Sequence, residues 1–139
     1  MDPSDVLPIE IVLGHIISEF ELPEICTLRQ VSSKWREIIK LYLSRLRNLD
    51  LTEVKHILTE HGLFSIITEL AKLREICLDG CWIIATEINL FTLFKNCPQL
   101  KSFSSKRCKF VCDDVLEELS RRCSSLENLN IDSCFQVNT

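Results

Sequence analysis

A short apolar motif recurs four times along the chain, with a leucine followed by apolar residues three and five positions later. The leading leucines are 27, 27 and 26 residues apart: Leu46, Leu73, Leu100 and Leu126. Alternating apolar and polar positions after each leucine predict a short strand with one buried face. A fixed period of this length predicts strand–helix units that stack, because each unit is too thin to bury its own apolar face.

The cysteines follow the same period. Cys81, Cys108 and Cys134 each stand eight residues after a leading leucine, and Cys97 and Cys123 stand three residues before the next one. Cysteine at a fixed position of a repeat is typical of a compact, weakly polar interior filler. We therefore expect structural thiols inside the stacked units.

The segments between the predicted strands have helical patterns. In the third unit Val115, Leu116 and Leu119 share one helix face, and Asp114 is the expected N-cap residue. In the first unit Gly62 is expected to break the helix in two. Ser105 stands in the third unit where the other units have an inward aliphatic residue.

The N-terminal third has a different pattern, which predicts three short helices. Apolar positions 9, 12, 13, 16, 17 and 20 form one stripe at helical spacing, and Leu22-Pro23-Glu24 opens a second helix. Ser32 or Ser33 is expected to cap a third helix, whose apolar stripe runs from Trp35 to Leu46. No linker separates this helix from the first strand. So short a segment cannot bury all of these residues itself, which predicts a surface covered by another protein.

Composition and charge argue against some classes of partner. The 139 residues are 46% hydrophobic and 26% charged, with a net charge of −4 and no basic run, which argues against nucleic acid as a partner. The acidic N-terminus lacks the basic region of a signal peptide, and no apolar run reaches the roughly 18 residues of a membrane span. We therefore expect a cytoplasmic or nuclear protein without a membrane partner.

The eight cysteines are then expected to be reduced thiols. Their spacings contain no CxxC pair and no histidine at a zinc-like offset, so no metal site is expected. His15, His56 and His61 stand in separate segments, and no nucleophile–base grouping has local support. The sequence therefore predicts no catalytic residues, no cofactor and no enzyme activity of its own.

Residues 46–139 resemble the cysteine-containing leucine-rich repeats. The resemblance is carried by Leu73-x-x-Ile76-x-Leu78-x-x-Cys81, with Cys97-Pro98-x-Leu100 opening the next copy. It implies an α/β fold with a short right-handed solenoid of about three and a half repeats. The expected repeats are 46–72, 73–99, 100–125 and a truncated 126–139. The truncation suggests a short form, a fragment or an end covered by a partner.

Residues 5–45 resemble the F-box. Leu7, Pro8, Glu10 and Ile11 match its opening, and Val31-Ser32 with Trp35 matches its later signature. The resemblance implies a three-helix F-box, continuous with the repeats, that binds the Skp-family adaptor and through it the cullin of a ubiquitin ligase. The adaptor-binding residues it implies are Leu7, Pro8, Ile11, Val31 and Trp35. For Trp35, a place in the helical core is an equally good interpretation.

The polar residues of each strand predict where a target protein would bind. On the concave face of a solenoid these form a mildly acidic strip: Asp50, Thr52, Glu75, Cys77, Asp79, Ser104, Lys106, Asn130 and Asp132. The strip could favour a basic or amide-rich peptide, or it could be a solvated face without a ligand. The expected function is the substrate-recognition subunit of an SCF-type ubiquitin ligase. The alternative is a non-catalytic regulatory or scaffold protein that binds the adaptor without delivering a substrate.

Overall fold

The computed structural model describes residues 22–134. The first predicted helix, and with it Leu7, Pro8 and Ile11, lies outside the described residues. Within residues 22–134 no helix combines the length and apolar character that crossing a membrane requires.

Two helices open the described part, α1 (Leu22–Leu28) and α2 (Ser33–Arg45). Of the two predicted caps, Ser32 is the one used: its side-chain oxygen accepts the Trp35 backbone N–H at 3.1 Å. The apolar stripe of α2 faces the core, with Trp35, Ile38, Ile39 and Leu43 buried. Only Leu46 and Arg47 separate α2 from the first strand.

Four three-residue strands form a parallel sheet in chain order: β1 (Asn48–Asp50), β2 (Glu75–Cys77), β3 (Ser102–Ser104) and β4 (Asn128–Asn130). The strands predicted from the repeated leucine motif are thereby confirmed. Leu49, Ile76, Phe103 and Leu129 are direct neighbours across the sheet. Each strand therefore contributes one residue to a single row on the inner face.

A helix lies between each pair of strands: α3 (Glu60–Ile67), preceded by a 3₁₀ turn at Thr52–Val54, then α4 (Glu87–Asn96) and α5 (Asp113–Arg122). Two sequence predictions are wrong here. Gly62 does not break a helix, because α3 begins only at Glu60 and Gly62 lies in its first turn, donating its N–H to the Thr59 cap at 2.9 Å. Asp114 is not an N-cap, because Cys112 takes that position and caps without a side-chain hydrogen bond.

One core runs through the helices and the sheet. At its centre Phe94 of α4 meets Phe103 of β3 edge to face, with ring centroids 5.3 Å apart, and both are fully buried. Ser105 is also fully buried, as its inward position predicts, and its hydroxyl has no hydrogen-bond partner. Leu129 departs from the inward pattern and is 47% exposed, since no strand in the described part of the chain covers the outer side of β4.

Asn89 joins neighbouring units through the core. It is 1% exposed, and its side-chain nitrogen donates to the Ile84 carbonyl at 2.8 Å and to the Glu60 carbonyl at 3.1 Å. The Glu60 carbonyl belongs to the first turn of α3, so one amide connects two consecutive helices. A buried amide can hold this position only because both carbonyls satisfy it.

Candidate functional site

The polar residues of the four strands lie side by side on one face of the sheet. The parallel register aligns them in two rows. The first row is Asn48, Glu75, Ser102 and Asn128, and the second is Asp50, Cys77, Ser104 and Asn130. The residues of the predicted strip are therefore brought together, with Thr52, Asp79, Lys106 and Asp132 each two positions after the second row.

Much of this polar strip is occupied by its own hydrogen bonds. Asp50 Oδ1 accepts from the Thr52 hydroxyl at 2.8 Å and from the Thr52 N–H at 3.0 Å. Asp79 Oδ1 accepts from the Ser104 hydroxyl at 2.6 Å and from the Lys106 N–H at 2.9 Å, which ties the second unit to the third. One oxygen of Asp50 and one oxygen of Asp79 are thus used in hydrogen bonds within the chain.

These hydrogen bonds stabilise the ionised form of Asp79. Burial alone would raise its pKa, but the hydrogen bonds from Ser104 and from the Lys106 N–H, aided by the Lys106 charge, bring the pKa below its usual range. Asp79 is therefore an ionised structural residue at neutral pH. Next to it, burial raises the pKa of the Cys77 thiol, so Cys77 is a neutral thiol rather than a reactive thiolate.

The periodic cysteines form two ladders between units. In the first ladder the thiols of Cys81, Cys108 and Cys134 lie 3.9, 3.2 and 3.2 Å from carbonyl oxygens of the preceding unit, those of Leu51, Leu78 and Ser105. In the second, Cys97 lies 3.7 Å from the Leu70 carbonyl and Cys123 lies 3.5 Å from the Cys97 carbonyl. All five cysteines are buried, so the prediction of structural interior thiols is confirmed. The S–H groups are weak donors to these carbonyl oxygens.

These thiols predict a loss of stability in alkali. Burial raises the pKa of Cys81 and Cys123 to about 11 and that of Cys97 and Cys108 to about 12, from the ordinary 9.0. The unfolded chain therefore loses these protons first, so the stabilisation is complete below about pH 9 and is lost as pH rises through the folded values. Urea unfolding under reducing conditions should show a free energy that falls steeply above pH 9.

The control is the Cys97→Ala/Cys108→Ala double variant, compared with the unchanged chain over the same pH range. It should be less stable at pH 7, and its stability should fall with a shallower slope above pH 9. Equal slopes for the two proteins would contradict the assignment of the alkaline loss to these thiols.

Of the five implied adaptor-binding residues, two are described, and they are placed differently. Val31 follows α1 and is 65% exposed, whereas Trp35 in the first turn of α2 is 8% exposed and belongs to the core. The structure thus favours the core interpretation for Trp35. An exposed valine beside a helix start is free to contact a partner, while a buried indole offers a partner little surface.

The helical pair is fixed to the first strand–helix unit. Ile25 of α1 is buried in the common core, and Arg29 donates to the Ser65 hydroxyl of α3 at 3.1 Å. A cleft of roughly 390 Å³ remains at this junction, lined by Arg29, Arg36, Thr59 and Ser65 among others. It contains hydroxyls and guanidinium groups and no nucleophile–base pair. Among the described residues, no three metal-ligating side chains converge.

One surface was missed by sequence reasoning. Trp82 is 48% exposed and Ile83 is 60% exposed in the loop after β2. Lys109 of the next loop places its ammonium 5.3 Å from the Trp82 ring centroid and 5.1 Å from that of Phe110. The only available signal was that Trp82 and Ile83 follow Cys81 directly, where the chain leaves the strand and enters a turn.

Comparisons with known proteins agree with the two parts of the chain. Residues 4–47 match the family model of the F-box domain. The F-box/LRR-repeat protein 15 of Mus musculus is 25% identical over 114 residues, which cover 82% of this chain and 38% of the mouse protein. The protein of the same name from Rattus norvegicus matches with the same identity and coverage. The chain therefore corresponds to well under half the length of these curated relatives.

Proposed function

We propose that this chain, an F-box/leucine-rich-repeat protein, is the substrate-recognition subunit of an SCF-type ubiquitin ligase. F-box domains generally bind Skp-family adaptors, and the match over residues 4–47 is the observation that carries the proposal. The chain itself is proposed to be non-catalytic: it links a target protein to the adaptor and, through the adaptor, to the cullin. We propose the cytoplasm or nucleus as its location, which suits a chain with free thiols.

The fold is consistent with adaptor binding by the N-terminal helices and target binding by the strand–helix units. We propose that α1 and α2 are the second and third helices of a three-helix F-box. We also propose that the three strand–helix units and the fourth strand form a leucine-rich-repeat solenoid. Since α2 ends at Arg45 and β1 begins at Asn48, with one core across the junction, the two parts are held in a fixed relation. A target bound to the repeats would then be carried at a defined position relative to the adaptor.

The adaptor surface is proposed to include Leu7, Pro8 and Ile11 from the motif together with the exposed Val31. Trp35 is assigned a supporting role beneath that surface, because it is buried in the core. Burial of exposed apolar anchors at the centre of an interface is the usual source of affinity between proteins.

Val31→Asp tests this surface without disturbing the fold. Because Val31 is 65% exposed, a carboxylate there stays hydrated in the free protein but would be buried without a partner in the complex. We expect the affinity for purified Skp-family adaptor, measured by calorimetry, to fall by about tenfold or more.

The matched control is Ile88→Asp. Ile88 is 66% exposed on α4, which belongs to the second strand–helix unit, and the change has the same chemistry. It should leave adaptor affinity unchanged. The Leu7→Ala/Pro8→Ala variant should also lose adaptor binding. Failure of the unchanged chain to bind adaptor at micromolar concentration would overturn the proposed function.

A second candidate function is a regulatory or scaffold protein that occupies the adaptor without a substrate. The internal hydrogen bonds of the polar strip favour it, since Asp50 and Asp79 each already use one carboxylate oxygen within the chain. Depletion of the protein in cells distinguishes the two candidate functions. Depletion of a substrate receptor lengthens the half-life of proteins that bind the purified chain directly, whereas depletion of a scaffold lengthens none of them.

A further inference from the structure

An exposed apolar and basic surface lies at the edge of the sheet where the strands end. The loops after β2 and β3 leave a parallel sheet at the same edge, which places Trp82 and Ile83 beside Lys109 and Phe110. Trp82 and Ile83 are 48% and 60% exposed, and Phe110 is partly buried against the core. Large apolar side chains that remain exposed side by side are a common mark of an interaction site.

Basic side chains lie at this edge although the chain is acidic overall. The net charge is −4, yet residues 106–112 contain three bases, Lys106, Arg107 and Lys109, and no acid. From the preceding unit Lys55 lies against Gly80, where an added Cβ would be 3.2 Å from its Nζ. Lys55 and Lys109 therefore bring two positive charges to this edge, while Asp79, which precedes Gly80, accepts hydrogen bonds from Ser104 and Lys106.

Lys109 is held in place without being neutralised. Its ammonium lies over two aromatic rings, and none of the ion pairs found among residues 22–134 involves it. Aromatic faces attract an ammonium group but leave its full charge available. A carboxylate from a partner could therefore approach Lys109 while an apolar side chain of the same partner covers Trp82 and Ile83.

We propose that this strand-exit edge, defined by Lys55, Trp82, Ile83, Lys109 and Phe110, binds an extended segment of a target protein in which an apolar side chain is flanked by carboxylates. The proposal rests on the proposed function and identifies the kind of substrate segment that the receptor takes. It places the target on the edge rather than on the polar strip, because the carboxylates of the strip would repel such a segment.

Three pooled sets of labelled ten-residue peptides test the proposal. The first pool has a central Leu, Ile, Phe or Trp flanked by Asp and Glu, the second replaces the acids with Lys and Arg, and the third replaces the central residue with Ser. We expect the full chain to bind the first pool at least tenfold more tightly than the other two, measured by fluorescence anisotropy. With unlabelled Leu and Ile peptides of the first pool, the emission of Trp82 should shift to the blue, since Trp35 is already buried.

Two variants and a matched control complete the experiment. Trp82→Ser should remove the preference for a central apolar residue, and Lys109→Glu should reverse the preference for acids. Lys95→Glu, an equal change of charge at an exposed site on α4, should alter neither. Equal affinities for the three pools, or a preference that survives both variants, would overturn the proposal.

Adaptor binding measured on the same samples separates this proposal from the proposed function. Adaptor binding without a pool preference overturns the edge site alone. Absence of adaptor binding by the unchanged chain overturns the receptor function itself.

Discussion

Phe103→Ala is expected to lower the free energy of unfolding by about 3–5 kcal/mol, the usual cost of removing a buried aromatic side chain. Phe103 is fully buried in β3, it stands between Ile76 and Leu129 across the sheet, and its ring packs on the edge of Phe94. The substitution therefore removes contacts with two neighbouring units at once. Urea denaturation followed by circular dichroism measures the change.

The control for this prediction is Phe91→Ala, the same change at a less buried aromatic side chain. Phe91 lies on α4 and is only partly buried, so its removal should cost clearly less than that of Phe103. A loss at Phe103 below about 1 kcal/mol would show that the centre of the core can close around the missing ring.

Asn89→Leu is expected to cost about 2–4 kcal/mol although leucine is similar in size and more hydrophobic. The change leaves the buried Ile84 carbonyl without its donor, which costs about 1–3 kcal/mol, and it also removes the hydrogen bond to the Glu60 carbonyl, worth about 0.5–1.5 kcal/mol. The same urea denaturation should show this loss. Because Asn89 joins α3 to α4, hydrogen exchange should also become faster at the start of α3.

Asn96→Leu provides the matched comparison. Asn96 is partly buried and its side chain makes one long hydrogen bond, 3.4 Å to the Ile67 carbonyl. Its replacement should cost less than about 1 kcal/mol. If the two variants lost equal stability, the double hydrogen bond of Asn89 would not be the cause.

The strands and the buried thiols could be predicted from the sequence because both depend on a strictly repeated spacing. A residue that returns every 26 or 27 positions meets the same surroundings each time, so one pattern identifies Leu49, Ile76 and Phe103 together. The burial of Cys81, Cys108 and Cys134 follows from the same regularity.

The wrong predictions concern positions at the ends of helices and of the sheet, where the local backbone conformation or the presence of a neighbouring strand decides what a residue does. Asp114 resembles an N-cap, but the chain is already extended at Cys112 and the helix begins one residue later at Asp113. Gly62 resembles a helix breaker, but in a first turn its N–H belongs to the cap and the interior penalty of glycine does not apply. Leu129 repeats the inward pattern, but no strand within residues 22–134 covers its outer side.

The candidate site was predicted only in part. The register brings Asp50, Cys77 and Ser104 into one row as the alternation predicts, but the hydrogen bonds that occupy the strip depend on three-dimensional distances. The exposure of Trp82 could not be read from the sequence, because an apolar pair in a turn has the same appearance whether it packs inward or outward. The cation–π contact of Lys109 likewise joins residues of different loops.

The thiol ladders have a consequence for how such a chain can change in length during evolution. Each of these thiols lies next to a carbonyl oxygen 26 to 30 residues earlier, which always belongs to the preceding unit. Duplication or deletion of one whole unit therefore leaves each remaining thiol facing a carbonyl of the same kind. An insertion of a few residues between two of these cysteines can be accommodated only in a loop. A shift within a strand or helix would separate the thiols from their carbonyl acceptors on both sides. Length variation among descendants of this chain is thus expected in steps of a whole unit.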